Sequence, residues 1–410
     1  SKKEMDAYFA MMAEAEKRDH RKLGKDLELF MFHEWSPGSV FFLPKGAIIY
    51  NELTNFVREE YLKRGYKEVI TPQLFNKALW ELSGHWQHFK ENMFVLNVDD
   101  DEFALKPMNC PSHVLIFKNR TRSYRELPLR IADFCVLHRN ELKGVLGGLT
   151  RVRKFSQDDA HVFCTKEQIN SEIMQLLDFV KFVYVDTFKF EFKAKLSTRP
   201  EKYMGDIKLW ELAEKALEDA LKASKLKYEV KRGEAAFYGP KIDFDVRDSI
   251  GRDWQLATIQ LDFQMPIKME AEYEGQDGKR HPAVMIHRAI LGSLERFIGV
   301  LTEHYAGKFP LWLSPVQVRI LTVADRFNDY ANQLQKRYFE AGIRVEADEK
   351  AESVPYKVRE AELDKVNYIL VVGEKEVAAG TVTVRKGKAQ YTIDAEKFMR
   401  QVLDEIKART

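Results

Sequence analysis

Residues 151–161 read RVRKFSQDDAH, and they carry more information about fold and chemistry than any other stretch of the chain. In an extended strand the side chains alternate between two faces, so all the odd positions point the same way. That face carries Arg151, Arg153, Phe155, Gln157, Asp159 and His161. A face this polar in the middle of a domain is typical of a ligand site or of a solvated edge strand, and the pattern alone leaves both open.

The segments around this strand read as further long strands joined by hairpins. LPLRIADFCVLHRNE precedes it, and the glycine-rich loop LKGVLGGL joins the two. FVLNVDDDEFALKP and KIDFDVRDSIGRDWQLATIQLDF each look like two strands around a turn, the second turning at 249–251. A helix from about residue 48 to residue 63, ended by Gly65, leads into another strand that stops at Pro72. These signals predict an antiparallel α+β domain.

The clearest domain boundary lies near residues 309–315, where a helical pattern over 288–306 gives way to FPLWLSP. The alternation of short apolar segments and helical patterns after this boundary predicts an α/β domain with helices on both sides of its sheet. Strands are expected at 316–323, 343–348, 368–374 and 381–385, and helices at 329–341, 355–364 and 395–409. We therefore expect one domain over residues 1–309 and a second over 310–410.

Composition excludes several classes of protein. The 410 residues are 45% hydrophobic and 31% charged, which is close to the average of soluble globular proteins. The net charge of +2 gives no sign of the strong positive field of a nucleic-acid binder, so an RNA partner must be inferred from motifs. The chain shows no long apolar run and no signal sequence, and its three cysteines suit a reducing compartment. We expect a cytoplasmic enzyme without a membrane partner.

Two arginines stand at informative places in the pattern. Arg139 follows the strand that ends at His138, and Arg296 follows Gly292 by about one helical turn. The planar guanidinium pairs bidentately with phosphate and stays charged, so arginines on facing elements suit a triphosphate. The alternative for each is an ordinary surface ion pair.

Taken together, the motifs resemble a known family. The helix and strand that end at Pro72, HRNE at 138–141 and ILGSLERF around Arg296 resemble the three motifs of class II aminoacyl-tRNA synthetases. More narrowly, eight segments in order look like the catalytic core of threonyl-tRNA synthetases, and some look more like eukaryotic or archaeal members than bacterial ones. They are SPGSVFFLPKGA, SGHW, LKPMNCP, GLTRVRKFSQDDAHVFC, STRPEK, AFYGPKID, ATIQLDF and MIHRAILGS.

The resemblance implies a class II synthetase core, an antiparallel sheet flanked by helices, followed by an α/β anticodon-binding domain. It implies that Arg139 holds the α-phosphate of ATP and Arg296 the γ-phosphate, with Mg²⁺ accompanying the nucleotide. Three more residues complete the nucleotide site by the same resemblance: Glu141, Arg151 and Gln255. Four others are expected to line the amino-acid and phosphate pocket, with Lys241 counted among the catalytic residues: Gln157, Tyr238, Lys241 and Gln260.

By the same resemblance a catalytic Zn²⁺ is held by Cys110, His161 and His287, and it binds the amino group and hydroxyl of L-threonine. Asp159 accepts a hydrogen bond from that hydroxyl. The spacing of the three ligands carries no CxxC or HExxH signature, so the assignment depends on the resemblance. Three protein ligands do leave open positions on zinc, as catalytic sites require.

The implied function is activation of L-threonine with ATP, with release of pyrophosphate, and transfer of threonine to the terminal ribose of tRNA(Thr). His85, in SGHW, is expected to assist the transfer; the alternative is that it caps or packs beside Trp86. Glu376 and Arg385 are expected to contact anticodon bases. A homodimer is expected because residues 48–72 resemble the segment that forms the class II dimer interface.

Selectivity for threonine is predicted to depend on the substrate hydroxyl. A pocket that merely encloses a side chain separates threonine from isosteric valine by only about a hundredfold, whereas a site that demands a hydroxyl excludes valine far better. Serine lacks one methyl group of threonine, whose contacts contribute about 1–3 kcal/mol of binding free energy. Serine should therefore still be activated, although less efficiently. Family members commonly carry an N-terminal domain that hydrolyses seryl-tRNA, and this chain is expected to lack it.

Two other functions stay open at this point. One is a catalytically silent synthetase paralogue that binds tRNA-like RNA, and the other is a related synthetase for serine, proline or histidine. The chain departs from the family pattern at Ser112, Lys143 and Gly148. ATP–pyrophosphate exchange with different amino acids separates these alternatives.

Overall fold

The structure is a computed structural model that describes residues 2–409. The chain divides into two compact units. The large unit comprises Phe32–Val40 and Thr54–Val300, and the small unit comprises Phe41–Leu53, the chain from Leu301 onward and the chain up to Met31. No helix within residues 2–409 is both long enough and apolar enough to cross a membrane. The α-helices in chain order are Lys2–Arg18, His20–Asp26, Pro44–Lys63, Lys77–Ser83, His85–Phe89, Cys110–Lys118, Ile169–Lys181, Ile207–Ser224, Gln264–Lys268, Leu294–His304, Asn328–Glu340, Val354–Leu363, Glu374–Ala379 and Ala395–Ala408.

The large unit is built on an eight-stranded sheet. Neighbouring strands are antiparallel except for the outermost pair at each end, which is parallel. The predicted antiparallel architecture is therefore confirmed. In spatial order the strands are Tyr228–Lys231, Glu191–Ser197, Lys241–Arg247, Asp253–Asp262, Val284–Ser293, Lys154–Cys164, Leu129–His138 and Lys67–Glu68. The shorter strands elsewhere before residue 300 are Phe30–Phe32, Val40–Phe42, Leu74–Asn76, Val95–Val98, Asp101–Leu105, Arg122–Ser123, Glu272–Glu274 and Arg280–Pro282.

Both hairpins predicted from the sequence are present. Val95–Val98 pairs with Asp101–Leu105, and Lys241–Arg247 pairs with Asp253–Asp262 around a turn in which Gly251 has φ +86. That backbone conformation favours glycine, which explains why the turn falls where it does.

Two central strands are covered on both faces. Lys154–Cys164, called here the His161 strand, and Val284–Ser293, the His287 strand, are buried along almost their whole lengths. The polar face predicted for 151–161 therefore belongs to an interior strand and is not a solvated edge. Arg151 and Arg153 precede the strand, which begins at Lys154.

The helix predicted over residues 288–306 was wrong in its first part. Residues 288–293 belong to the His287 strand, and the helix begins only at Leu294. An unbroken apolar run has no period that separates a buried strand from a buried helix, so the sequence pattern misled. The strand register shifts between Ala289 and Ser293. There Gly292 has φ +72, and a Cβ atom would lie 2.5 Å from the Leu256 carbonyl oxygen, so the position requires glycine.

The small unit contains a five-stranded sheet with the α/β pattern that the sequence predicts. Its core packs Tyr338 and Phe398 from helices against strand residues such as Ile320 and Leu370. In spatial order the strands are Val345–Asp348, Val318–Thr322, Tyr368–Val372, Thr381–Lys386 and Ala389–Asp394, the first three parallel and the last two antiparallel. The last strand and the short helix Glu374–Ala379 were not predicted.

Candidate active site

A cavity of about 550 Å³ lies in the large unit, with walls formed by strands of the eight-stranded sheet and the loops between them. All five residues that the resemblance assigned to ATP line it, as do three of the four assigned to the amino-acid and phosphate pocket. These eight are Arg139, Glu141, Arg151, Gln157, Lys241, Gln255, Gln260 and Arg296. Residues far apart in the sequence thus share one site.

Arg139 and Arg296 are half-buried cations of this cavity without an ion-pair partner among residues 2–409. Burial lowers the pKa of both guanidinium groups, and the charge of Arg151 lowers that of Arg296 further. Arg139 lies over the ring of Phe155 at 5.1 Å, and Nε of Arg296 has no hydrogen-bond partner in the described part of the chain. Guanidinium groups stay protonated in proteins, so the cavity presents positive charge to an anionic ligand. The surface ion-pair alternative does not hold for either arginine.

Arg151, Glu141, Lys241 and Asp243, which also line the cavity, are paired with one another. Arg151 contacts the Glu141 carboxylate at 2.9 Å, and Lys241 Nζ lies 2.6 Å from Asp243 Oδ2. Arg153, on the same predicted face as Arg151, donates instead to the backbone oxygen of Glu141 at 2.9 Å and does not line the cavity.

Cys110, His161 and His287 form a buried trio with one donor atom of each within 4.8 Å of the others. His161 and His287 are register partners on adjacent strands, and Cys110 begins the helix Cys110–Lys118. His161 Nε2 and His287 Nδ1 are 3.0 Å apart. The three residues that the resemblance implied as metal ligands are therefore brought together by the fold.

The donor set fits a zinc ion. Nitrogens bound tetrahedrally at the usual zinc distance lie about 3.3 Å apart, close to the separation seen in the trio. Burial lowers the pKa of His161 well below its usual value, so the ring is neutral and can offer a lone pair. Burial also raises the pKa of the Cys110 thiol, which a bound metal would deprotonate. His287 Nε2 lies 2.9 Å from the buried Asp262 carboxylate, as is common behind metal-bound histidines.

Asp159 stands beside the trio with one carboxylate oxygen already engaged. The buried Asn109 donates from Nδ2 to Asp159 Oδ2 at 2.9 Å, while Oδ1 has no hydrogen-bond partner in the described residues. The free oxygen can accept from a ligand hydroxyl. Tyr238 closes this end, with its ring centroid 5.2 Å from that of His287. The sequence analysis missed Asn109, although it directly precedes Cys110 in KPMNCP.

His85 is buried next to Cys110. Its Nδ1 lies 2.9 Å from Ser83 Oγ, and its Nε2 lies 3.3 Å from Met108 Sδ and 3.7 Å from Cys110 Sγ. Burial and, second, the nearby His287 lower the pKa of His85 to about 3, so the imidazole is neutral. That value departs from the near-neutral pKa which favours acid–base catalysis, and it weakens the premise on which the transfer role was predicted.

Glu376 and Arg385 lie in the small unit. The Glu376 carboxylate accepts from Gly373 N at 3.0 Å and from Thr383 Oγ1 at 2.8 Å, and Arg385 Nε donates to Gln390 Oε1 at 3.1 Å. Thr383 and Arg385 are two positions apart on one strand and share a face. Glu376 and Arg385 are therefore neighbours on one side of the sheet.

Comparison with known proteins agrees with this arrangement. Residues 94–305 match the model of the tRNA synthetase class II core domain (G, H, P, S and T), and residues 317–405 match that of an anticodon binding domain. The chain belongs to the class II tRNA synthetase family. The core match covers the cavity and the trio, so the site lies where the family has its core domain.

Similar relatives are named threonine–tRNA ligases. Threonine–tRNA ligase of Caldanaerobacter subterraneus is 52% identical over 99% of this chain and 63% of the relative, and that of Thermotoga maritima is 50% identical over 100% and 64%. The chain thus spans less than two thirds of these relatives.

Two solved structures share the fold. One is titled the RNA binding domain of threonyl-tRNA synthetase from Cryptosporidium parvum; it is 44% identical with a TM-score of 0.92 and covers 94% of this chain and 98% of that one. The other is a putative threonyl-tRNA synthetase from Aeropyrum pernix, 28% identical with a TM-score of 0.83, covering 96% of each chain.

Proposed function

We propose that this chain activates L-threonine with ATP, releases pyrophosphate and transfers the threonyl group to the terminal ribose of tRNA(Thr). One observation carries the proposal: an arginine-lined cavity adjoins a buried Cys–His–His trio. Gln260 lines the cavity and is also the register partner of His287, which links the two halves of the site. ATP and amino acid can therefore meet at this junction.

Arg139 and Arg296 hold the nucleotide. The α-phosphate pairs with Arg139 and the γ-phosphate with Arg296, because both guanidinium groups face the cavity without a protein carboxylate to neutralise them. Glu141, Arg151 and Gln255 complete this end, and Mg²⁺ enters with ATP. The positive charge of Arg139 stabilises the charge that develops at the α-phosphate when the threonine carboxylate attacks and pyrophosphate leaves.

Cys110, His161 and His287 hold Zn²⁺, which when bound supplies a Lewis-acid site for the amino group and hydroxyl of threonine. Asp159 Oδ1 accepts from that hydroxyl. Gln157, Tyr238, Lys241 and Gln260 line the rest of the amino-acid and phosphate pocket. Valine would leave Asp159 Oδ1 without a hydrogen-bond donor, and sites built to hydrogen-bond a hydroxyl reject such analogues by roughly 10⁴–10⁵.

The remaining assignments follow the same family pattern. His85 assists transfer to the terminal ribose, and Glu376 and Arg385 contact anticodon bases. Residues 1–309 form the catalytic domain and 310–410 the anticodon-binding domain, in keeping with the matched spans of 94–305 and 317–405. Two copies of the chain form a homodimer. The cytoplasm is the proposed location, because all three cysteines are unpaired and buried.

ATP–pyrophosphate exchange with threonine, serine, valine, proline and histidine tests this function. Threonine should drive exchange, serine should drive it about 10–200-fold less well because one methyl contact is missing, and valine should be rejected. Arg139→Lys should abolish exchange. Arg153→Lys is the matched control, because Arg153 lies outside the cavity and donates to backbone. Exchange with proline or histidine would indicate a related synthetase, and no exchange at all would indicate a silent paralogue.

A further inference from the structure

His113 is a buried histidine that the proposed reaction does not use. It is fully buried and lies three residues after Cys110 in the helix Cys110–Lys118. Its ring meets His161 edge to face, with centroids 4.7 Å apart at 85°, and the two Nδ1 atoms are 2.7 Å apart. Two imidazole nitrogens at that distance share one hydrogen, so one ring donates and the other accepts.

The trio decides which ring donates. His161 points Nε2 toward His287 Nδ1, at 3.0 Å, which is where a metal would draw on the Nε2 lone pair. A neutral ring with a lone pair on Nε2 carries its hydrogen on Nδ1. His161 therefore donates from Nδ1, His113 accepts at Nδ1, and His113 must carry its own hydrogen on Nε2.

A buried acidic residue favours the same arrangement from the far side. His113 Nε2 has no hydrogen-bond partner among the described residues, and the nearest carboxylate oxygen, Asp133 Oδ2, is 3.9 Å away. The negative charge of Asp133 favours a hydrogen on the nitrogen that faces it. Thr71 Oγ1 donates to Asp133 Oδ2 at 2.6 Å, and the buried Lys106 donates to Thr71 at 2.6 Å.

We propose that His113, oriented by Asp133, is a positioning residue that fixes His161 in the tautomer with Nε2 free for zinc. This inference rests on the proposed function, in which the trio holds Zn²⁺. Groups behind a metal-bound histidine are usually a carboxylate, a backbone carbonyl or water, and losing them typically costs 10–100-fold in metal affinity. Here His287 has the carboxylate of Asp262, whereas His161 has a neutral imidazole. A neutral acceptor adds no further negative charge beside the Cys110 thiolate.

A matched pair of variants tests the role of the acceptor. His113→Asn and His113→Leu branch alike at Cγ and leave similar space, but only asparagine keeps an acceptor bonded to Cγ, where Nδ1 lies. Zinc affinity is measured on the metal-stripped 410-residue chain by competition with a chromophoric chelator. We expect His113→Leu to bind zinc about 10–100-fold more weakly than wild type and His113→Asn to recover most of that loss.

The outcomes are distinct. Unchanged zinc affinity in His113→Leu, or equal losses in both variants, would overturn the proposal, because the acceptor would then have no effect of its own. A wild-type chain that binds no zinc would overturn the proposed zinc site itself, which is a separate result.

A second measurement on the wild type does not depend on the variants folding. In the Co²⁺-loaded protein, the proton NMR spectrum should show two hyperfine-shifted exchangeable ring protons, one on His161 Nδ1 and one on His287 Nε2. Both should exchange slowly, because both are buried behind the metal. A single such proton would mean that the Nδ1 proton of His161 exchanges rapidly and is not held by His113, and the proposal would fail.

Discussion

The Cys110 thiol lies close to two histidine nitrogens, unlike the Cys164 thiol, which is buried at the end of the His161 strand outside the trio. We expect Cys110→Ser to lose bound zinc and threonine-dependent exchange together, because the hydroxyl of serine is a far poorer zinc ligand than a thiolate. Cys164→Ser is the control and should keep one zinc per chain. Elemental analysis and exchange measured on the same preparations check both. An active Cys110→Ser protein with full zinc content would refute the assignment.

His85 offers a second test at the level of one side chain. We expect His85→Ala to slow single-turnover transfer from preformed adenylate by roughly a hundredfold, within the usual range for an acid–base group, while exchange stays near wild type. His88→Ala, three residues on, is the control and should change neither rate. The burial of His85 against Ser83 and Met108 also suits a packing role. Equal losses of exchange and transfer in His85→Ala would establish that packing role.

The His287 strand ends in a bulge, where its register shifts between Ala289 and Ser293. This bulge depends on Asp158, a residue that the sequence pattern did not single out. The Asp158 carboxylate accepts from the backbone N–H groups of Ile290, Leu291 and Gly292 at 2.9, 2.9 and 3.0 Å. It also contacts the buried Arg288 Nη1 at 3.4 Å. Asp158 therefore holds the bulge that carries Gly292 into the cavity wall.

Removing this carboxylate should destabilise the protein strongly. We expect Asp158→Ala to lower the free energy of unfolding by about 3–5 kcal/mol, because it leaves the buried Arg288 without a carboxylate and three backbone donors without an acceptor. Asp253→Ala is the control: Asp253 pairs with Arg247 on the surface, where such pairs contribute about 0–1 kcal/mol. Urea denaturation of both variants measures the difference. Similar losses in the two variants would show that the bulge is held by other contacts.

The elements that the sequence predicted well are those decided by neighbours along the chain. Both hairpins form because turn residues such as Gly251 adopt a left-handed backbone locally. The His287 strand was mistaken for helix because its apolar run is compatible with either structure until neighbouring strands pair with it. The strand Ala389–Asp394 was missed for a related reason, since it is largely exposed and is held by pairing to Thr381–Lys386.

For the molecule as a whole, the proposed homodimer gives a direct test. Leu62 and Ile70, within the segment expected at the interface, are 80% and 95% exposed. Light scattering at micromolar concentration should give about twice the chain mass of 47.9 kDa. Leu62→Glu with Ile70→Glu should shift the mass toward that of one chain, because a buried interface cannot solvate two added charges. Leu363→Glu is the control, at a position that is 57% exposed in the small unit. A stable, fully active wild-type monomer would contradict the prediction.

What the sequence by itself determined is local. It determined the positions of turns and most helices, the change from an α+β to an α/β pattern after residue 309, and the motifs that resemble the synthetase family. The tertiary structure alone decided which side chains meet. Strand register brings His161 and His287 to within 3.0 Å across 126 positions, and helix packing brings His113 to within 2.7 Å of His161 across 48. Asn109 and Asp159 meet in the same way across 50 positions. Spacing along the chain cannot encode these contacts, because they depend on how distant strands and helices pair and pack.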